Sequence, residues 1–300
     1  MPSFTPPAVL TFAATDPTCG AGLQADVLTL TSLGCHPLAV VTAITVQDSV
    51  GVEDFTPLEA EWIVDQARSV LEDIPVAAFK IGMLGSVEAV MAIAEVVSDY
   101  PDVPLILDPV LASGRGDELA TETLIDAMKD MLLPQTTLIT PNSLEARRLA
   151  LDEGVDSEAP DLEECAERLL DMGCEYVLIT GAHENETLAQ GFISAEANAG
   201  EAGVKRSGRS QQAPQVVNRL YGTEGLIQTL NWERLPGSYH GSGCTLASAI
   251  AALMAQGADL LEAVKRAQEF TYQSLQAAYR PGMGQHIPDR FYWARGGDDA

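Results

Sequence analysis

The most constraining feature of this sequence is the alternation of short apolar runs with segments of helical periodicity. The runs are rich in Val, Ile and Leu, which is typical of strands that helices cover on both faces. We predict strands near residues 8–14, 38–45, 76–80, 104–107, 137–140 and 176–180. Helical patterns lie near residues 20–33, 58–72, 86–98, 117–131, 143–150, 160–172, 242–256 and 259–279. This repetition predicts an open α/β sheet, whose ligands bind beyond the carboxyl ends of its strands.

The charge of the chain excludes several classes of function. It has 17 basic and 43 acidic residues, a formal net charge of −26 at pH 7, and such a chain repels nucleic acid and anionic membranes. Hydrophobic residues make up 46% of the sequence, which is enough for a core despite the acidity. No apolar stretch reaches the roughly 18 residues of a bilayer-spanning helix. We therefore expect no nucleic-acid partner and no membrane partner.

The length of the chain allows one or two domains, and we expect a single domain over residues 1–300. Residues 194–215 interrupt the pattern because they are small and polar, so we predict a mobile insertion or a β-hairpin tip there. The five cysteines form an odd set without a CxxC pair, and the first residues do not resemble a secretory signal. Both features favour the cytoplasm.

The strongest local motif is HGSGCT, from His240 to Thr245, directly before a helical segment of small residues. Glycines let backbone N–H groups converge, and N–H groups at a helix N-terminus bind anions such as a phosphoryl group. Cys244 falls in the first helical turn, where the helix field would lower the pKa of its thiol. The alternative is a glycine-rich cap with a small buried cysteine. The hexapeptide alone does not decide between them.

Six motifs from residue 13 to residue 245 resemble the ribokinase-like kinases, and within them the hydroxymethylpyrimidine and phosphomethylpyrimidine kinases of thiamine biosynthesis. They are AATDPTCGAGLQAD (13–26), TAITVQDSVGV (42–52), KIGMLGS (80–86), LDPVLASGRGDEL, LITPNSLEA and HGSGCT. Six short motifs in the family's order make chance a poor explanation. The resemblance implies a ribokinase-like three-layer αβα sandwich with a mostly parallel central sheet, and a homodimer.

The resemblance also implies an ATP- and Mg²⁺-dependent phosphotransferase. Its substrates would be 4-amino-5-hydroxymethyl-2-methylpyrimidine and then the monophosphate, which becomes the diphosphate. Gly241, Ser242 and Gly243 would form the anion hole for the transferred group. Cys244 would be the general base that takes the proton of the hydroxymethyl group.

Four residues are candidates for the pyrimidine site. Gln47 follows a predicted strand, and its amide offers an acceptor and two donors that match the edge of an aminopyrimidine. Its alternative role is that of an ordinary polar turn residue. Ala21, Met83 and Val110 match apolar positions that wall the ring in the family, although each could also be plain core packing.

Four residues are candidates for the ATP site. Asp108 ends a strand at the carboxyl edge, and we assign it to Mg-ATP, with a turn cap before Pro109 as the alternative. The resemblance implies that Asn142 and Glu145 organise Mg²⁺ through water, whereas their spacing alone equally fits a helix capping box. Thr180 stands where the family usually has a lysine that helps with the phosphates.

Two other functions remain open at this point. Pyridoxal and pyridoxine kinases bind a flat ring with a hydroxymethyl arm, so a pocket of the same shape serves either substrate. Gln47 and Cys244 favour the pyrimidine. The second alternative is a catalytically weak, pyrimidine-binding regulatory homologue, which Thr180 suggests because a phosphate-binding lysine is missing.

Overall fold

The computed structural model describes residues 5–113, 116–151, 160–181 and 214–295. The strands are β1 (Ala8–Ala13), β2 (His36–Val41), β3 (Ala43–Gln47), β4 (Val52–Pro57), β5 (Val76–Ile81), β6 (Leu105–Leu107), β7 (Leu138–Ile139), β8 (Tyr176–Ile179), β9 (Gln215–Gly222) and β10 (Gly225–Glu233). The helices are α1 (Gly22–Ser32), α2 (Ala60–Leu71), α3 (Val87–Ser98), α4 (Glu122–Met131), α5 (Ser143–Ala150), α6 (Leu162–Asp171), α7 (Ser242–Ala255) and α8 (Leu260–Gln276). Short 3₁₀ turns lie at Leu133–Gln135 and Tyr292–Ala294.

Eight of these strands form the central sheet, in the order β10-β9-β8-β7-β6-β5-β1-β2. The strands from β2 across to β8 are parallel to one another. β9 runs antiparallel to β8, and β10 runs antiparallel to β9. The prediction of a mostly parallel sheet is confirmed, with an antiparallel hairpin at one edge.

Helices cover both faces of the sheet because alternate strand residues point to opposite sides. Leu10 and Phe12 of β1 belong to a core that includes residues of α2 to α6. Val9, which precedes Leu10 and points to the opposite face, belongs to a second core with residues of α1, α7 and α8. The predicted three-layer arrangement is therefore confirmed.

The predicted strand 38–45 is two strands, and this prediction was wrong in its extent. At Thr42 the backbone N–H donates to the Ala13 carbonyl, while the Thr42 carbonyl accepts from Leu58 N–H. The chain therefore leaves the central sheet, and β3 pairs with β4 in a separate two-stranded sheet. The apolar run continues through the break, so its periodicity gave no sign of it.

Other boundaries also differ from the sequence prediction. The predicted helix 117–131 begins at Glu122, because the Thr121 side chain caps it and Leu119 N–H bonds the Leu111 carbonyl. Residues 48–51, after the predicted strand 38–45, connect β3 to β4 and do not lead directly into a helix. Of the predicted insertion 194–215, residues 194–213 lie outside the described residues, and Gln215 begins β9. The single domain over 1–300 stays a prediction.

Within the described ranges, no helix combines the length and apolar character that a membrane crossing requires.

Candidate active site

The carboxyl ends of the parallel strands bring the predicted motifs to one edge of the sheet. The loop 14–21 follows β1, Asp108 follows β6 and Asn142 follows β7. Helix α7 begins at the same edge, since a Cβ placed on Gly243 would lie 3.6 Å from Asp108 Oδ1. Residues more than 130 positions apart in the sequence therefore share one site.

A buried lysine lies at the centre of this edge. Lys80 of β5 is 0% exposed, and its Nζ lies 3.0 and 3.2 Å from the two carboxylate oxygens of Asp26. It also lies 3.6 Å from Asp108 Oδ2. Burial lowers the pKa of Lys80, but the charges of the neighbouring Asp26 and Asp108 raise it above its ordinary value, so the ammonium stays charged.

Two hydroxyl groups complete the environment of Asp26. Thr11 Oγ1 and Ser248 Oγ each donate a hydrogen bond of 2.7 Å to its carboxylate. Asp26 is on α1, Ser248 on α7 and Thr11 on β1, so the network joins three elements. The sequence did not show that Lys80 reaches Asp26; its signals were a lysine within the apolar strand VAAFKI and its place at the start of the motif KIGMLGS.

Cys244 differs from its prediction. The thiol is partly exposed and donates a hydrogen bond to the Asp108 carboxylate. Burial and the charge of Asp108 raise the pKa of Cys244, although Lys80 acts in the opposite direction. The predicted lowering by the helix field was wrong, because burial of the thiol and the charges of the neighbouring carboxylates outweigh that field. At neutral pH Cys244 is a thiol.

The first loop packs tightly against the start of α7. Gly241 has φ +83°, and a Cβ there would lie 1.9 Å from the Gly20 carbonyl oxygen, so only glycine fits. The buried Asp16 accepts hydrogen bonds from Ala21 N–H at 2.7 Å and Thr18 N–H at 2.8 Å. His240 Nε2 lies 2.8 Å from the same carboxylate.

These contacts give Asp16 and His240 structural roles. Burial raises the pKa of Asp16, but its hydrogen bonds from His240, Ala21 and Thr18 outweigh burial and hold that pKa below its ordinary value. Asp16 is therefore a carboxylate that holds the loop in place.

Asn142 and Glu145 form the capping box that their spacing allowed. Asn142 Oδ1 accepts from Leu144 N–H at 2.9 Å and from Glu145 N–H at 3.0 Å. Glu145 Oε2 accepts from Asn142 N–H at 2.9 Å. Burial, together with the charge of Asp108, raises the pKa of Glu145 to about 8, although its backbone hydrogen bonds oppose this. The Mg²⁺ role stays a prediction beside the observed cap.

The remaining predicted residues lie around the same edge. Met83 and Val110 pack in a small apolar cluster beneath β3. Gln47 ends β3, where its Nε2 donates to Thr45 Oγ1 at 2.7 Å. Ala21 precedes α1, on the loop that packs against α7. Their contact with a substrate stays a prediction.

Thr180 lies beside the start of α5. Its N–H donates to the Pro141 carbonyl at 2.9 Å, and its carbonyl accepts from Ser143 N–H at 3.1 Å. The backbone of Thr180 therefore borders Asn142, and a role of either residue in nucleotide binding stays a prediction.

Sequence reasoning missed Arg290. Its guanidinium is 2% exposed and donates to the Gly20 carbonyl at 2.6 Å and to Thr245 Oγ1 at 3.1 Å. The segment IPDRFYW carries no periodic or motif signal that would have placed this side chain under the first loop.

Comparison with known proteins identifies a family and several relatives of this chain. The family model described as phosphomethylpyrimidine kinase matches residues 16–289. A hydroxymethylpyrimidine/phosphomethylpyrimidine kinase from Streptomyces coelicolor is 36% identical over 283 residues, which are 94% of each chain.

Two solved structures share the fold. The pyridoxal kinase from Staphylococcus aureus in complex with ADP has a TM-score of 0.78 at 27% identity, with 98% of this chain and 96% of that chain covered. The phosphomethylpyrimidine kinase from Clostridium difficile 630 has a TM-score of 0.67 at 29% identity, with 90% and 99% covered. These similarities confirm the predicted ribokinase-like fold.

The raised pKa of Cys244 predicts slow alkylation of this thiol. Because the thiolate is the nucleophile, iodoacetamide at pH 7.5 should modify Cys244 at least about tenfold more slowly than the exposed Cys19. Peptide mass spectrometry over time measures both rates, and a sample in urea provides the control in which the two converge. Labelling of Cys244 at the rate of Cys19 in the folded protein would contradict a raised pKa for Cys244.

The raised pKa of Glu145 predicts a pH-dependent stability difference. The folded protein holds this proton more tightly than the unfolded chain, so the contribution is present below about pH 4.5 and is lost as the pH rises through about 8. The Tm of Glu145→Gln, which keeps an acceptor oxygen for the cap, should therefore rise relative to the parent Tm between pH 5 and pH 8.5. Glu262→Gln, at an exposed position in the first turn of α8, is the control and should follow the parent. A constant difference for Glu145→Gln would contradict the burial argument.

Proposed function

The chain belongs to the phosphomethylpyrimidine kinase family, and on that premise we propose that it is an ATP-dependent kinase of thiamine biosynthesis. It phosphorylates the hydroxymethyl group of 4-amino-5-hydroxymethyl-2-methylpyrimidine and then phosphorylates the monophosphate to the diphosphate. The observation that carries this proposal is the meeting of the Gly241–Cys244 turn with Lys80 and Asp108 at one edge of the sheet.

The start of α7 is the part of the site that binds the phosphoryl group. The first intrahelical bond to Gly241 O comes from Thr245 N–H, so the N–H groups of Ser242, Gly243 and Cys244 precede it and are available. Together with the helix dipole they stabilise the charge that spreads over the moving phosphoryl oxygens. In this proposal the backbone is the main source of transition-state stabilisation.

The proton of the first acceptor needs a base, and Cys244 is neutral. The transition state of phosphoryl transfer is loose, so the proton leaves late. As the hydroxymethyl oxygen bonds phosphorus and ADP departs, its proton passes to Cys244 Sγ while the thiol proton passes to the Asp108 carboxylate. The second acceptor is an ionised phosphate, so that transfer releases no proton from an alcohol.

The residues at this edge fit a divalent cation. Asp108 Oδ2 is buried without a hydrogen-bond partner among the described residues, and Glu145 carries a raised pKa beside it. Carboxylate oxygens with retained waters are what Mg²⁺ prefers. Asn142 and Glu145 would hold the ion through water near Asp108, and bound Mg²⁺ would neutralise triphosphate charge.

The pyrimidine lies between the first loop and β3 in this proposal. The amide of Gln47 forms hydrogen bonds with the ring nitrogen and the amino group, while Ala21, Met83 and Val110 contact the ring faces. Thr180 borders the phosphates at the start of α5 but carries no charge. Among the residues that the structure describes, the buried Lys80 supplies an ammonium group at this edge.

Location and assembly complete the proposal. The five cysteines are free, which suits the cytoplasm. Ile44 and Val46 of β3 are more than half exposed and offer an apolar face for a second copy in a homodimer.

A pyridoxal kinase is the second candidate function. The observation that favours it is the higher TM-score of the Staphylococcus aureus pyridoxal kinase, 0.78 against 0.67. The family match and the 36% identical relative favour the pyrimidine.

The decisive assay measures ADP release with Mg-ATP and hydroxymethylpyrimidine beside pyridoxal, with the products separated by number of phosphates. We expect a pyrimidine diphosphate. Turnover of pyridoxal alone would transfer the assignment to vitamin B6, and binding of the pyrimidine without ADP release would identify a regulatory homologue.

Cys244→Ala tests the proton path in the same assay. We expect the kcat of the first transfer to fall by about 10²-fold or more and that of the second to fall much less, because only the first acceptor loses a proton. Cys165→Ala, on the buried face of α6 and away from the site, is the control. Equal losses in both transfers would show that Cys244 serves the anion hole and not the proton.

A further inference from the structure

Arg290 is a buried cation with an unusual set of partners. Among the described residues, no carboxylate lies within ion-pair distance of its guanidinium, which is 2% exposed. Burying a guanidinium costs several kcal/mol unless hydrogen bonds or an opposite charge compensate. The position of this buried cation at the edge of the site suggests a role in the site itself.

The hydrogen bonds of the Arg290 guanidinium go to the walls of the anion hole. Nη2 donates to the Gly20 carbonyl at 2.6 Å, and Nη1 donates to the Cys19 carbonyl at 3.3 Å. Nε donates to Thr245 Oγ1 at 3.1 Å. Thr245 Oγ1 in turn donates to the Gly241 carbonyl at 2.7 Å. One planar fork therefore links the first loop to the first turn of α7.

The contact between Gly20 and Gly241, which Arg290 holds in place, is too close to admit a side chain at either position. The Gly20 carbonyl oxygen occupies the place that a Cβ on Gly241 would need, and a Cβ on Gly20 would lie 2.4 Å from His240 Cδ2. A shift of the Gly20 carbonyl must therefore move Gly241, and with it the N–H groups of Ser242 and Gly243. Displacements of about 1 Å in such groups are enough to cost about a hundredfold in rate.

The backbone of Arg290 is itself fixed to the scaffold. Ser32 Oγ, at the end of α1, donates to the Arg290 carbonyl at 2.5 Å. The preceding Asp289 N–H donates to the Ser274 carbonyl of α8 at 3.0 Å. The guanidinium is thus presented from a rigid base.

Its charge also matters at this place. Arginine remains charged in proteins, and Cys244 and Asp26 are among the groups that interact electrostatically with Arg290. In a chain of net charge −26, a buried cation beside the N-terminus of α7 strengthens the field that attracts an anion.

We propose that Arg290 is a positioning residue for phosphoryl transfer: it holds the Gly20–Gly241 contact so that the N–H groups of the first turn of α7 face the transferred phosphoryl group, and its charge reinforces that site. This role rests on the proposed kinase function. Arg290 does not touch the reacting group in this proposal. It affects the rate through the first loop and the first turn of α7, which it holds in place.

Two variants separate geometry from charge. Arg290→Lys keeps the charge but cannot reach three acceptors with one ammonium, whereas Arg290→Met loses both. Arg266→Met removes an arginine from the exposed surface of α8 and is the matched control. Circular dichroism and Tm report folding, steady-state kinetics report kcat and KM, and calorimetry reports the Kd values of AMP-PCP and of ADP.

We expect Arg290→Lys to fold and to lose about tenfold or more in kcat, with the KM for the pyrimidine within about twofold of the parent. Affinity for AMP-PCP, which carries a third phosphate group, should fall more than affinity for ADP, and Arg290→Met should lose more of both kcat and AMP-PCP affinity. If Arg290→Met does not fold, Arg290→Lys alone decides.

Parent kcat in Arg290→Lys, or equal losses of AMP-PCP and ADP affinity, would overturn the proposal and leave Arg290 a stabilising residue only. If the parent protein turns over neither ring, the proposed function fails while the comparison of AMP-PCP with ADP still tests Arg290. If the parent protein does not bind AMP-PCP, there is no phosphoryl site to position and the Arg290 proposal falls as well.

Discussion

The buried ammonium of Lys80 is the interaction on which the rest of this site depends. It lies under the carboxyl edge of the sheet, between Asp26 of α1 and Asp108 after β6. An unpaired ion in that place would cost several kcal/mol, so the elements that carry its partners cannot move away independently. Ser248 extends the network to α7 through its hydrogen bond to Asp26. The helix that binds the phosphoryl group is thereby fixed to the strands that carry the carboxylates.

The same arrangement explains how an acidic protein can bind a polyanion. In the part of the chain that the structure describes, the two arginine or lysine side chains buried at this edge are Lys80 and Arg290. Both act on the start of α7, where backbone N–H groups provide directed donors. The directed N–H donors and the buried cation Arg290 therefore favour an anion at this place, although the net charge of the chain is −26. Asp108 adds a local carboxylate that keeps Cys244 protonated and suits a divalent cation.

The sequence patterns predicted those features of the structure that depend on neighbouring residues in the chain. Apolar runs identified the parallel strands, and the spacing of Asn142 and Glu145 identified the cap that begins α5. The break at Thr42 was invisible because tertiary hydrogen bonds cause it within a continuous apolar run. The pKa of Cys244 was predicted in the wrong direction because the helix field is local, whereas the burial that raises this pKa comes from tertiary packing, and Asp108, whose charge adds to it, is 136 positions away in the sequence. Arg290 was missed, and the contacts of Lys80 were not predicted, for the same reason, since their partners come from distant segments.

The central claim is that the Lys80–Asp26 pair holds the site together, and a double-mutant cycle tests it most directly. Urea denaturation at pH 7 gives the free energies of unfolding of the parent, Lys80→Met, Asp26→Asn and the double variant. Each single change should cost about 3–5 kcal/mol because it leaves an uncompensated buried group. The double variant should cost clearly less than the sum of the two, with a coupling of about 1–3 kcal/mol. Additive costs would contradict the account, because they would mean that Lys80 and Asp26 stabilise the fold independently.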